Sequence, residues 1–109
     1  MNKEIEEFIT EWDEYLRNRN GHGEREHIFA RMVKLSEEMG ELASEVLASQ
    51  GEQRKEKLKD TNREELEDEF ADVFLSLLFL AKSFDVDIFA ASQNKVGKIR
   101  KRHAASLEG

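Results

Sequence analysis

The chain has no cysteine and no proline, and only six glycines among 109 residues. The missing cysteine excludes a disulfide scaffold, a thiolate metal site and a thiol nucleophile, and it suits a reducing compartment. The missing proline and scarce glycine leave long helices uninterrupted. Long apolar runs are absent too. None approaches the roughly 18 residues a membrane span requires, and Met1-Asn2-Lys3-Glu4 opens no apolar leader. Positive charge is in deficit, with 17 Lys and Arg against 24 Asp and Glu, a net −7. A general nucleic-acid binder usually carries a basic excess. The expectation is therefore a cytoplasmic protein without a membrane or a nucleic-acid polymer as partner. What the chain does have is charge (38%) and apolar side chains (39%) in equal measure. Together with the length, that predicts one domain over residues 1–109 with a lean core.

Hydrophobic period predicts an all-α fold of four helices. Ile5, Phe8, Ile9, Trp12 and Leu16 recur at three- and four-residue steps, which places a first helix over Lys3 to Arg19. Asn18, Asn20, Gly21 and Gly23 break it. A second helix spans Glu24 or Arg25 to Ala48, with Ile28, Met32, Leu35, Met39, Leu42 and Val46 within about 40° of one direction. Residues 49–60 read as a polar connection. Thr61-Asn62-Arg63-Glu64 matches a capping box and opens the third helix, whose stripe is Leu66, Phe70, Val73, Leu77, Leu80 and Phe84. Around Val73-Phe74-Leu75 and Leu77-Leu78-Phe79-Leu80 this helix is apolar nearly all round. Such a helix is covered on several sides, and in so short a chain a second subunit is the expected cover. Asp85 or Asp87 is the candidate N-cap of a fourth helix running to about Arg102, with residues 103–109 as a flexible tail.

The acids are placed with a pattern. With the apolar stripe at 0°, Glu38, Glu41 and Glu45 fall at about −80°, −140° and −100° on the second helix. Glu65, Glu69, Asp72 and Ser76 fall at about −100°, −60°, −120° and −80° on the third. When two helices pack stripe to stripe and antiparallel, flanks of the same hand come to the same side. A connection of sequential helices through a polar loop favours that arrangement. Level residues in an antiparallel pair share a constant number total, and 38 with 72 and 41 with 69 both give 110. The expectation is that Glu38, Glu41, Glu69 and Asp72 converge beside an antiparallel central pair. Converging carboxylates need a neutraliser, and oxygen ligands suit a hard divalent cation such as Mg²⁺, Mn²⁺ or Ca²⁺. Charge-rich helices also carry E-x-x-E by chance, as a solvated face.

Glu37-Glu38-x-x-Glu41, followed after 27 residues by Glu69-x-x-Asp72, resembles the E-E-x-x-E…E-x-x-D signature of the MazG-like all-α nucleoside triphosphate pyrophosphohydrolases. Asp87-Ile88…Asn94-Lys95-x-x-Lys98-x-x-x-Arg102 is similar to that family's last helix, so the resemblance covers roughly residues 5–102. It implies hydrolysis of a nucleoside triphosphate between the α and β phosphates to a monophosphate and pyrophosphate, with a part in clearing the nucleotide pool. It implies Mg²⁺, or Mn²⁺ in its place, on Glu38, Glu41, Glu69 and Asp72, with Glu37 in the wider acidic site. It also implies a homodimer or homotetramer whose four-helix core is shared between subunits. On that reading Glu41 and Glu38 are the first candidates for the base, while Lys95, Lys98 and Arg102, at i, i+3 and i+7, take the remaining phosphate charge.

A flat base is usually held by stacking, for which Trp12 is the only tryptophan, with Phe8 and Tyr15 near it and Asn94 as a hydrogen-bonding amide. Lys34, on the acidic flank, pairs with Glu38 or meets a phosphate. His22 and His27 are expected in solvent by the glycine loop. Three other readings stand beside this one. An acidic helical interaction module would bind a partner and do no chemistry. A carboxylate-bridged di-iron bundle wants two E-x-x-H repeats, and the chain has one, Glu24-Arg25-Glu26-His27, away from the acids. The third is the related phosphoribosyl-ATP pyrophosphohydrolase.

Overall fold

The computed structural model describes residues 2–21, 23–51 and 60–108. Four helices follow one another: α1 Lys3–Asn20, α2 Glu24–Ser49, α3 Asp60–Ser83 and α4 Ile88–Glu108. There is no strand among the described residues. The Asn2 side chain accepts from the Ile5 backbone N–H at 3.3 Å and starts α1, and Gly21, at φ 61°, ends it in the left-handed conformation glycine adopts without strain. Of the two candidate caps for α4, Asp87 serves: its carboxylate accepts from the Ala90 N–H at 3.0 Å, a bond worth about 1 kcal/mol. Asp85, at φ 53°, instead makes the left-handed bend of the preceding turn. α4 continues to Glu108 instead of ending near Arg102. His22, the Thr61 side chain of the expected capping box, and most of the polar connection lie outside the described residues.

α2 and α3 form the central pair and run antiparallel. Arg31 Nη1 of α2 donates to the Phe79 carbonyl of α3 at 2.8 Å, and these numbers share the total expected from the acids. The faces that meet share only part of the apolar stripes. On α2 the buried side chains are His27, Arg31, Leu35 and Glu38, so the helix turns its acidic flank inward. Met32 and Met39, in the stripe itself, stay about half exposed. On α3, Leu78 and Ala81 are buried while Phe70 and Phe84 are 54% and 59% exposed. The cause is α1, which packs on α3 beside α2 and contributes Ile9 and Asp13 to the interior. The three helices bury Leu35 and half-bury Ile28, Leu42, Leu66, Val73 and Leu80, and leave Met32, Met39, Phe70 and Phe84 open.

α4 leaves this unit. Ile88 is half-buried, every described side chain after it is exposed, and Phe89 meets Phe74 edge to face at 6.5 Å. The radius of gyration is 18.1 Å, against about 13 Å for a compact chain of this length.

His27 is a correction to the sequence reading, since it is only 6% exposed. It falls on the inward face four residues before Arg31. Burial first, then the neighbouring Arg31 and Arg17 cations, push its pKa below the ordinary 6.5. The unfolded chain therefore binds a proton that the folded chain resists. Its contribution to stability is fully present above pH 6.5 and is lost as the pH falls below that value. Denaturant titrations from pH 7.5 to 5 should show falling stability, and His27→Gln should flatten that slope.

Candidate metal centre

Glu38 and Glu41 stand one turn apart on α2, and Glu69 faces them from α3. One carboxylate oxygen of each lies within 4.8 Å of the other two. Glu38 is buried, Glu69 half-buried and Glu41 exposed, so the group is closed toward the core and open on the α2 side. Lys34 Nζ makes an ion pair with Glu38 Oε1 at 2.7 Å, one turn earlier on the same helix. Of the two roles weighed for Lys34 it thus takes the first, and Glu38 raises its pKa.

The other oxygens carry the information. Glu38 Oε2 and Glu69 Oε2 are both shut off from solvent and have no hydrogen-bond partner. A buried acceptor left unpaired costs a few kcal/mol in general, and more when charged. The Glu69 carboxyl shows the strain: burial first, then Glu41, Asp72, Glu38 and Glu45, raise its pKa above the ordinary carboxylate value. A cation between these oxygens would satisfy both orphans and remove the repulsion. An all-carboxylate donor set fits a hard divalent ion better than a soft one. The residues present therefore fit a metal on an observation of their own geometry.

The remaining predicted positions divide. Asp72 is exposed and not in the three-oxygen group, but its charge reaches Glu69, and with Glu38 it edges a cleft of about 400 Å³. That cleft is walled by Trp12 and Leu16 of α1 and by Leu75 and Phe79 of α3, with Ser76, Lys34 and Arg31 as polar members. Trp12 thus stands at a cavity beside the acids, 44% exposed and stacked on Phe8 with centroids 5.6 Å apart. On the other side, Glu37, Glu41, Glu45 and Glu69 edge an open space of about 620 Å³. Asn94, Lys95, Lys98 and Arg102 are exposed on α4 and line neither cavity. One protomer does not bring them to the acids.

The sequence reading passed over Asp13 and Arg31, which are 8% and 7% exposed. Arg31 Nη2 pairs with Asp13 at 2.7 Å, and Arg17 Nε reaches the same carboxylate at 3.1 Å. Burial tends to raise the Asp13 pKa, but Arg31 and Arg17 outweigh it and hold it below the usual carboxylate range. The available signal was Arg31 lying seven residues before Glu38, on the same helical face.

Comparison with known families places the chain. The model of the MazG nucleotide pyrophosphohydrolase domain matches residues 28–106, which take in α3 and nearly all of α2 and α4. The chain belongs to the MazG nucleotide pyrophosphohydrolase domain family. Among curated proteins it is similar to the uncharacterized protein YpjD of Bacillus subtilis (strain 168), 37% identical over 73 residues. That match takes in 67% of this chain and 64% of the relative's length. No solved structure matches.

Neutralising one crowded acid should stabilise the metal-free fold. Glu69→Gln is expected to raise Tm in chelator and to abolish the upward shift that added Mg²⁺ gives the unaltered protein. Thermal scans with and without metal read both effects.

Proposed function

We propose that the chain is a Mg²⁺-dependent nucleoside triphosphate pyrophosphohydrolase, acting in the cytoplasm and releasing a monophosphate and pyrophosphate. The observation that carries this is the pair of orphaned oxygens, Glu38 Oε2 and Glu69 Oε2, grouped with Glu41 at the edge of a cleft with an aromatic wall. Family membership supplies the substrate class. A triphosphate is itself an anion, and carboxylates repel it unless a cation stands between them. Glu38, Glu41 and Glu69 would hold that cation, with Asp72 beside them. When bound, Mg²⁺, or Mn²⁺ in its place, neutralises phosphate charge and acidifies water.

The chain's own groups then divide the work. Glu41 is exposed, whereas Glu38 has one oxygen engaged by Lys34, so Glu41 is the better placed to hold the attacking water and take its proton. Glu37 extends the acidic rim. The face of Trp12 offers a stacking surface for the base, next to the acids and not among them. Closing this cleft around a nucleotide would position the α phosphorus for in-line attack.

The exposed stripe calls for a second copy. Met32, Met39, Phe70 and Phe84 are each about half exposed or more, and α4 has almost no neighbours in its own chain. A homodimer or homotetramer would bury these faces. In it Asn94, Lys95, Lys98 and Arg102 would serve a site across the subunit boundary.

A panel of nucleoside triphosphates with Mg²⁺ should yield monophosphate and pyrophosphate. Release of a diphosphate and orthophosphate would place the cleavage elsewhere. Glu38→Gln and Glu69→Gln should each lower kcat by about a hundredfold or more. Turnover unchanged in both would leave the non-catalytic interaction module as the reading. Sedimentation at micromolar concentration should give a mass at least twice the 12.7 kDa of one chain.

A further inference from the structure

We propose that Arg31 is a positioning residue that holds α1 against the central pair and so sets Trp12 at the cleft. The nucleotide consequence rests on the function proposed above, whereas the docking of α1 does not.

Besides an exposed Arg17–Glu24 ion pair to α2, few groups hold α1. Ile9 and Asp13 are its only buried side chains among the described residues. Ile9 contributes apolar contact, which sets neither rotation nor height closely. Asp13 is the directional anchor, and it follows Trp12 directly in the chain, so whatever fixes Asp13 fixes the indole. Arg31 does this from α2. One guanidinium nitrogen pairs with Asp13 of α1 at 2.7 Å. Another donates to the Phe79 carbonyl at 2.8 Å and to Ser83 Oγ at 2.9 Å, both on α3. Its flat face lies 5.4 Å from the Phe79 ring centroid. A single planar group thereby joins all three helices that wall the cleft.

The same rings carry the constraint to the indole. Phe79 meets Phe8 edge to face at 6.1 Å, and Phe8 stacks on Trp12 at an interplanar angle of 19°. Trp12 is held by its sequence neighbour and by its ring neighbour, and both end on Arg31. Glu38 lies seven residues further along α2, two turns and roughly 10 Å from Arg31. Arg31 also borders the cleft, so Asp13→Asn, which leaves it in place, separates the docking of α1 from a contact of Arg31 with the nucleotide.

Lysine keeps the charge but not the fork, and as a compact ammonium it does not hold a carboxylate, a carbonyl and a hydroxyl on two helices in one plane. In Arg31→Lys, Trp12 emission should move toward that of a solvated indole with no nucleotide present. KM for the preferred nucleoside triphosphate should rise about tenfold or more, the size expected for a lost buried charge-assisted bond, with kcat within about threefold. Asp13→Asn leaves Arg31 on Phe79 and Ser83 and removes the carboxylate charge that Arg31 and Arg17 share. It should reproduce both changes, and it decides the matter if Arg31→Lys does not fold. Emission unchanged in folded variants overturns the docking role. A shifted emission with unchanged KM, or a fall in kcat at constant KM, overturns the link to substrate. If the unaltered protein turns over no triphosphate, the proposed function fails, and the emission result still decides what Arg31 does.

Discussion

A buried cation with three clients organises this molecule. Arg31 is shielded from water, a costly state for a guanidinium unless its charge and donors are met. The Asp13 carboxylate meets the charge, and the Phe79 carbonyl and Ser83 hydroxyl take the donors of Nη1, while Nε is buried without a hydrogen-bond partner. The bond to Phe79 pins the relative height of α2 and α3, and that height brings Glu38 and Glu41 level with Glu69. A slip by one helical turn, about 5.4 Å, would separate acids whose oxygens now lie within 4.8 Å. The acidic group and the clamp are thus two levels of one register.

That register was legible in the residue numbers because both helices are long and unbroken. Element type was legible for the same reason: no proline interrupts the helical period. The antiparallel pairing followed from acids falling on flanks of the same hand. The rotation of the helices was less legible. Hydrophobicity pointed Met32, Met39, Phe70 and Phe84 at one another, but the faces that meet within the chain carry Arg31, Leu35 and Glu38. An apolar stripe says that something will cover it and is silent on whether that partner is in the same chain. His27 and Asp13 were missed for a related reason, since polar residues on a helix ordinarily face water and only tertiary packing buries these two.

The site itself is uneven in what sequence shows. Glu38, Glu41 and Glu69 were recognisable from spacing, because helical geometry carries spacing directly into space. The aromatic wall was half recognisable: Trp12 stood out as a lone indole, whereas Phe79 looked like one more apolar residue of α3. Its position opposite Trp12 depends on how α1 crosses the pair, which no local period encodes. Lys95, Lys98 and Arg102 share a face of α4, yet the shared face does not put them near the acids.

The sharp bend from Phe84 to Asp87 has a further meaning. With Asp85 in the left-handed region and Asp87 capping the next helix, the link from Phe84 to Asp87 aims α4 away from α3, although a corner of that length can also close a helical hairpin. It is the direction of this corner that leaves Phe70 and Phe84 bare within the protomer, where a self-sufficient bundle would fold its last helix back over them.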